Sequence, residues 1–326
     1  MDFFGTLMRL ARKYFKPHHR IIIALLFFTN IAALAFLFNS HNDRAEISKY
    51  PLIDFSRNFI AQEHYIINFQ PLRDDLKEII KKEQYKGVEV SIYMEFLNTG
   101  ANISINPDSR IFPASLNKLP ISMAMMKKIE NGSWGINDEL VLLPVDINQK
   151  YGKLYQYPVG SIFTIEFLLK TALQQSDNTA FAILYRNMDA VELNSVLEEL
   201  GLKDLFNDAG QITAKEYSRL FRALYTASFL NRENSEFMLE WLSDTDFSEF
   251  LSRDIPKNIM FAHKFGINEE DRVFSDSGIV YAENRPYLIT VLVSVTGNGT
   301  PESDLEHAVR IMSEISQKTF LYINEL

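Results

Sequence analysis

Residues 111–132 read IFPASLNKLPISMAMMKKIENG. The spacing predicts a helix that starts near Ser115, with Pro120 tolerated in its first turn and Asn131-Gly132 as its stop. Ser115 and Lys118 are three apart, so on a helix they share a face and the amine can approach the hydroxyl. An alcohol needs such a base to become a nucleophile, and a helix N-terminus favours a developing anion. The pair alone carries little weight. With 24 Ser and 18 Lys in 326 residues, about one such spacing arises by chance. A helix-capping Ser beside a solvated Lys fits the same residues.

Two further segments change that weighting. Residues 157–184, YPVGSIFTIEFLLKTALQQSDNTAFAIL, place Ser176-Asp177-Asn178 between two amphipathic helices. A polar triplet inside an apolar lobe is costly unless its donors and acceptors are used, although a plain helix cap would also use them. His263-Lys264-Phe265-Gly266 ends a β run near the carboxy terminus. A Lys beside a Gly on a strand edge can hold a carboxylate while the backbone comes close; an ordinary exposed edge Lys is the plain alternative.

Outward from these segments the chain is regular. Residues 71–87 put Leu72, Leu76, Ile79 and Ile80 on one helical face, with Gly87 at the exit. VEVSIYMEFLN (88–98) and ANISINP (101–107) alternate about Thr99-Gly100, a hairpin signal. A mostly helical stretch, about 115–250, is broken near Pro144, Pro158-Val159-Gly160 and Gly210. Strand candidates follow at 259–266, 272–283 and 285–295, with a turn at Asn284-Arg285, and a helix closes the chain at about 303–323. Strands at both ends predict an α/β (α+β) fold: one antiparallel sheet of about five strands flanked by helices, with an all-helical lobe inserted. A cleft between the lobes is the expected place for a site.

In this order, Ser115-x-x-Lys118, Ser176-Asp177-Asn178 and Lys264-Phe265-Gly266 resemble the signature of the serine β-lactamase and penicillin-binding-protein superfamily. The class A β-lactamase-like branch is the most similar, and the resemblance spans roughly Val88 to the last helix. It also takes in the PAS-x-x-KLPI context of Ser115, the YPVGS turn and SDSGIVY after the third motif. The resemblance implies a β-lactamase-like fold with Ser115 as nucleophile and Lys118 as proton acceptor, or a partner to it. Ser176 would relay a proton to the leaving nitrogen, and Asn178 would bind the substrate's amide side chain. Lys264 would bind the substrate carboxylate and support Ser176, Gly266 would lie beside it in the substrate-binding strand, and the amides of Ser115 and Ile267 would form the oxyanion hole. Asp177 reads as structural, and His263 as either a supporting residue or a packed neutral core histidine.

Two departures stand out. Phe265 replaces the hydroxyl residue of the third motif, which removes one carboxylate contact. After the second motif, the family's Ω loop with its deacylating glutamate is missing: the chain passes from one helix to the next through a short turn at 207–211. Glu198, Glu199 and Glu216 fall in helical periodicity and read as solvated faces.

Composition bounds the rest. Net charge is −9 and no basic stripe is present, which argues against nucleic acid. There is no Cys, and the six His show no metal-ligand spacing, so neither a metal nor another cofactor is expected. Residues 1–20 carry five basic groups against Asp2, and residues 21–38, IIIALLFFTNIAALAFLF, hold no charge. That run would reach about 27 Å as a helix, enough to span a bilayer. The expected organisation is a cytoplasmic basic segment (1–20), a single-pass membrane anchor (21–38), a juxtamembrane linker (39–70) and an extracytoplasmic hydrolase domain (71–326). A cleaved signal peptide ending at Ala33-Leu34-Ala35 is the alternative, opposed by the apolar Phe36-Leu37-Phe38 that follows. Three functions fit: a membrane-anchored serine acyl-enzyme hydrolase or transferase acting on D-alanyl cell-wall peptides and reacting with β-lactams; a true β-lactamase with another deacylation route; and a non-catalytic cell-wall-binding domain.

Overall fold

The computed structural model describes residues 25–31, 49–54, 67–84, 87–202, 210–297 and 299–326. The chain divides into two units, Met1–Pro51 and Leu52–Leu326. In the first, residues 25–31 are helical with exposed side chains. Among the described residues no helix is long and apolar enough to cross a membrane. The segment 1–20 and most of the 21–38 run and of the 39–70 linker lie outside the described residues.

The second unit is a three-layer body. Helix α1 (Gln70–Gln84) buries Leu72, Leu76, Ile79 and Ile80, the face that the periodicity predicts. Strand β1 (Val88–Phe96) turns at Gly100, where φ is +78°, and pairs with β2 (Asn102–Ile105). The last three strands are β5 (Phe261–Asn268), β6 (Val273–Val280) and β7 (Tyr287–Val295). All pairs are antiparallel, in the order β2-β1-β7-β6-β5, so the final strand lies beside the first and β5 is an edge. Alternation decides what each face meets. Val90, Ile92 and Met94 join a core with α1 and the closing helix α8 (Pro301–Glu325). Tyr93 and Glu95 point the other way, toward α6 (Ala214–Tyr225), whose Arg222 donates hydrogen bonds to both.

Between β2 and β5 lies the inserted lobe. It comprises α2 (Lys118–Glu130), α3 (Ile165–Gln174), α4 (Asn178–Arg186), α5 (Ala190–Glu199), α6 and α7 (Arg232–Ser243). The lobe is not all-helical, contrary to the expectation. β3 (Glu139–Val141) and β4 (Ile162–Thr164) pair as a small ribbon. Three residues per strand are too few to show a period, and the Pro and Gly between them, which exclude helix, favour the ribbon. Residues Lys118–Met126 are all buried, so α2 is an axial helix enclosed on every side. Residues 52 and 53 also belong to this body. Leu52 and Ile53 are buried, the Leu52 amide donates to the Glu236 carboxylate at 3.0 Å, and Tyr281 donates to the Leu52 carbonyl at 2.8 Å.

Candidate active site

Ser115 sits on a short 3-10 turn, Ala114–Asn117, rather than within the α-helix, and Lys118 is the first residue of α2. Ala114 enters that turn with φ at +51°, a left-handed conformation that costs a non-glycine residue on the order of 1 kcal/mol. The turn is tied from two sides. Tyr217 donates to the Leu116 carbonyl at 2.8 Å, and Ser275 of β6 donates to the Pro113 carbonyl at 3.1 Å. β5 then runs directly against it. A Cβ on Gly266 would lie 2.8 Å from the Pro113 carbonyl oxygen and 3.0 Å from the Ser115 nitrogen, so only glycine allows this approach.

The second motif is equally constrained. Ser176 has φ at +54°. Asp177 caps α4 by accepting from the Ala180 amide at 2.8 Å and also accepts from the amides of Lys153 and Leu154 at 2.6 and 2.8 Å. That is the structural role its position suggested. Gly152 is needed for this packing, because a Cβ there would lie 2.1 Å from an Asp177 oxygen. Asn178 opens α4, and its amide donates to the Tyr151 carbonyl at 3.1 Å.

These elements converge on two amines. Lys118 Nζ lies 2.6 Å from Ser115 Oγ, 2.7 Å from Asn178 Oδ1 and 3.4 Å from Ser176 Oγ. Lys264 Nζ donates to Ser176 Oγ at 2.9 Å and to the Phe265 carbonyl at 2.9 Å. Asn178 Oδ1 is acceptor only, so Lys118 must donate there, which leaves its lone pair free to face Ser115 once it is neutral. Asn178 Nδ2 uses one N–H on Asn148 Oδ1 at 3.2 Å and keeps a second for a ligand. Ser115, Lys118, Ser176, Asn178 and Ile267 all line one cleft of about 760 Å³ between the sheet edge and the lobe.

Burial lowers the Lys118 amine to about 7, with the Asp177 charge opposing. Burial is also the main cause holding Lys264 well below the lysine range, reinforced by the charge of Lys118 and opposed by Asp276. His263 stacks on Phe261 with centroids 4.3 Å apart and pairs with buried Asp276 at 2.9 Å, so it is a buried, partnered residue outside the cleft lining. Asp276 itself is pushed up by burial, with His263 opposing.

Phe265, in place of the hydroxyl residue, is buried against Phe247 in a stack with centroids 3.8 Å apart, and Lys264 Nζ lies 4.1 Å over its ring. Glu198 and Glu199 are exposed on α5, as expected. Glu216 is not a solvated face. It closes the capping box of α6 with Thr213 and pairs with Arg110 at 2.9 Å, because the helix starts three residues before it. Most of the 207–211 turn lies outside the described residues. Among the described residues, no group of three or more His, Asp or Glu side chains is placed to hold a metal. Sequence reasoning missed Asn148 and Tyr151, which contact Asn178 from a loop without periodicity. Ser275 and Asp276 lie within the SDSGIVY phrase, where nothing local marks their contacts with Pro113 and His263.

A serine beside a lysine of lowered basicity, with a second serine and lysine behind it, on this sheet-and-lobe fold, is the arrangement of a serine hydrolase. The chain belongs to the beta-lactamase enzyme family, whose profile matches residues 71–323. A relative is beta-lactamase VEB-1 of Pseudomonas aeruginosa, 25% identical over 264 residues, covering 73% of this chain and 86% of that protein. Among solved structures, PBP-A has the same fold at TM-score 0.70 and 20% identity, covering 79% of this chain and 97% of that one. A mutant of PBP-A in an acyl-enzyme complex with penicillin G aligns at TM-score 0.69 and 20% identity, over 78% and 97% of the two chains.

Gly266→Ala tests the close approach of β5. It is expected to slow acylation of Ser115 about 100-fold, by displacing the turn, while the far-UV circular dichroism stays unchanged. Acylation within twofold of the unsubstituted protein would show that the turn tolerates the extra methyl.

Proposed function

We propose that the protein is a membrane-anchored serine acyl-enzyme hydrolase or transferase acting on D-alanyl cell-wall peptides, and that β-lactams acylate it. One observation carries the reading, an imbalance between the two halves of the reaction. The acylation set of Ser115, Lys118, Ser176, Asn178 and Lys264 is closed at hydrogen-bond distance. By contrast, the chain has no glutamate between Glu199 and Glu216. Among the described residues, the cleft carboxylates Asp146 and Glu270 pair with Arg186 and Lys150, each at 2.7 Å, and Glu269 is exposed on the turn after β5. In the proposed reaction Ser115 Oγ attacks the carbonyl while Lys118 takes its proton, and the amides of Ser115 and Ile267 receive the oxyanion. Ser176 then passes a proton to the leaving nitrogen as the C–N bond breaks, which leaves an ester on Ser115. Water or an acceptor amine resolves that ester. The likeness to VEB-1 supports a second reading, a β-lactamase that activates water by another route.

The anchor rests on the uncharged 21–38 run and the basic groups before it. A reporter fused after Leu326 is expected to be active only outside the cytoplasm, and activity of a cytoplasm-only reporter there would remove the anchor from the proposal.

Because the family's deacylating glutamate has no counterpart between Glu199 and Glu216, purified full-length protein mixed with penicillin G is expected to gain one penicilloyl mass and hold it for minutes or longer. Ser115→Ala should gain none. Intact-mass spectrometry beside a hydrolysis assay decides the matter: a persistent adduct supports the proposal, and rapid multiple turnover supports the β-lactamase reading. Absence of any adduct would count against acyl transfer.

The protonation of Lys118 sets the pH profile. The base must be neutral, so acylation is expected to be full above about 7 and to fall as pH drops through that value. Lys118→Arg keeps the charge but cannot release its proton, and should acylate at least about 1000-fold more slowly. A flat profile from pH 5 to 9 would take Lys118 out of the role of base.

A further inference from the structure

We propose that residues 52–54 clip the membrane-proximal end of the chain to the body through Glu236, and that this clip sets how far the body can stand from the membrane. The side chains of Leu52 and Ile53 are buried, and so is Glu236. The Leu52 amide donates to both oxygens of the Glu236 carboxylate, each at 3.0 Å, and the Leu52 carbonyl accepts from Tyr281 at 2.8 Å. The Asp54 amide donates to the Tyr225 carbonyl at 2.7 Å. Three elements therefore grip one short segment: α7 through Glu236, the end of α6 through Tyr225, and the residue after β6 through Tyr281.

The position of the grip decides what it can do. Tyr217 of α6 touches the Ser115 turn, and Tyr225 lies about 12 Å further along that helix. The chain is thus held at the end of α6 remote from the catalytic groups. Among the described residues the next hold is at Asn68 and Phe69: Tyr322 donates to the Asn68 carbonyl, and the Phe69 side chain is buried. With the clip closed, residues 39–51 separate the 21–38 run from the body, a reach of at most about 45 Å. With it open, residues 39–67 do so, and the limit rises to about 100 Å.

Glu236 gives the clip its control. Burial pushes this carboxyl up to about 7, with the amides of Leu52 and Ile53 opposing and Glu240, one turn on, adding to the push. Tyr225 and Tyr281 also face this notch, and burial holds Tyr281 well above the usual tyrosine range, so it stays a donor. Opening returns Glu236 to water and to the ordinary value of 4.5. A proton therefore favours the closed form: the clip is at full strength below about 4.5 and weakens as pH rises through about 7.

The effect on reach rests on the anchored reading of the chain, whereas the clip itself is testable without it. The chain has no cysteine, so Ile53→Cys in the full-length protein supplies a single thiol within the clip. Its alkylation by iodoacetamide is timed alone and with Glu236→Gln, which accepts from the amides without charge, or Glu236→Lys, which cannot accept. At pH 8, Glu236→Lys is expected to speed alkylation at least about tenfold, and Tyr281→Phe, which removes one hydrogen bond, about fivefold, with far-UV circular dichroism unchanged. Divided by the rate with Glu236→Gln at each pH, which cancels ionisation of the thiol, the rate should rise about tenfold from pH 6 to 8.5. Rates that neither Glu236→Lys nor Tyr281→Phe moves, or a ratio flat with pH, overturn the proposal. In phospholipid vesicles, energy transfer from a dye on Val191→Cys, an exposed position, to headgroup acceptors should fall when Glu236→Lys is added. Unchanged transfer in inserted protein overturns the effect on reach. If the thiol rates behave as stated while the protein does not insert into vesicles, the clip stands and the anchored reading is what fails.

Discussion

Lys118 and Lys264 place two amines on one buried hydroxyl, that of Ser176, and among the described residues no carboxylate pairs with either. An unpaired buried ammonium costs several kcal/mol, so the site can exist only if the amines give up charge. Burial does this, bringing Lys118 to about 7 and holding Lys264 lower than the usual lysine range. The nearest carboxylates are occupied: Asp177 by the amides of Lys153, Leu154 and Ala180, and Asp276 by His263. Moving either acid onto a lysine would restore the full positive charge and end its use as a base.

Much of the surrounding structure follows from holding those amines dry. α2 is enclosed so that its first residue, Lys118, enters the core. Ala114 and Ser176 accept left-handed backbone where glycine would be easier, yet glycine at 176 would remove the hydroxyl that both lysines need. Gly152 and Gly266 do the opposite: each gives up a side chain so that another group can come close, Asp177 in one case and the Ser115 turn in the other. The strain and the glycines lie at the seam between sheet edge and lobe, where packing from both sides supports them.

That division explains what could be read in the sequence. Elements with a full period were legible: α1 from Leu72, Leu76, Ile79 and Ile80, and the sheet from runs at both ends of the chain. The site was legible wherever its residues lie close together in sequence, as Ser115 with Lys118 or Ser176 with Asn178. What joins the motifs was not. The contacts of Ser176 with Lys264 and of Ser275 with Pro113 span 88 and 162 residues, and only the closed fold sets them. β3 and β4 escaped because three residues show no period, and Glu216 escaped because a capping residue looks like any other acid on a helix.

The substitution at Phe265 bears on the same electrostatic constraint. A hydroxyl there would share the work of holding a substrate carboxylate; under the proposed function that work would fall to Lys264, whose ammonium burial disfavours. An arriving carboxylate favours the charged form of Lys264. A charged Lys264 in turn disfavours a proton on Lys118, because the two amines flank one hydroxyl. Binding the anion would therefore put the proton on the lysine that binds and keep it off the lysine that acts as base. Under the proposed mechanism, Lys264 would modulate the acid limb that Lys118 sets, because the two amines flank one hydroxyl. In this arrangement the missing hydroxyl weakens the carboxylate's hold, while the lysine pair still links binding of the anion to readiness of the base.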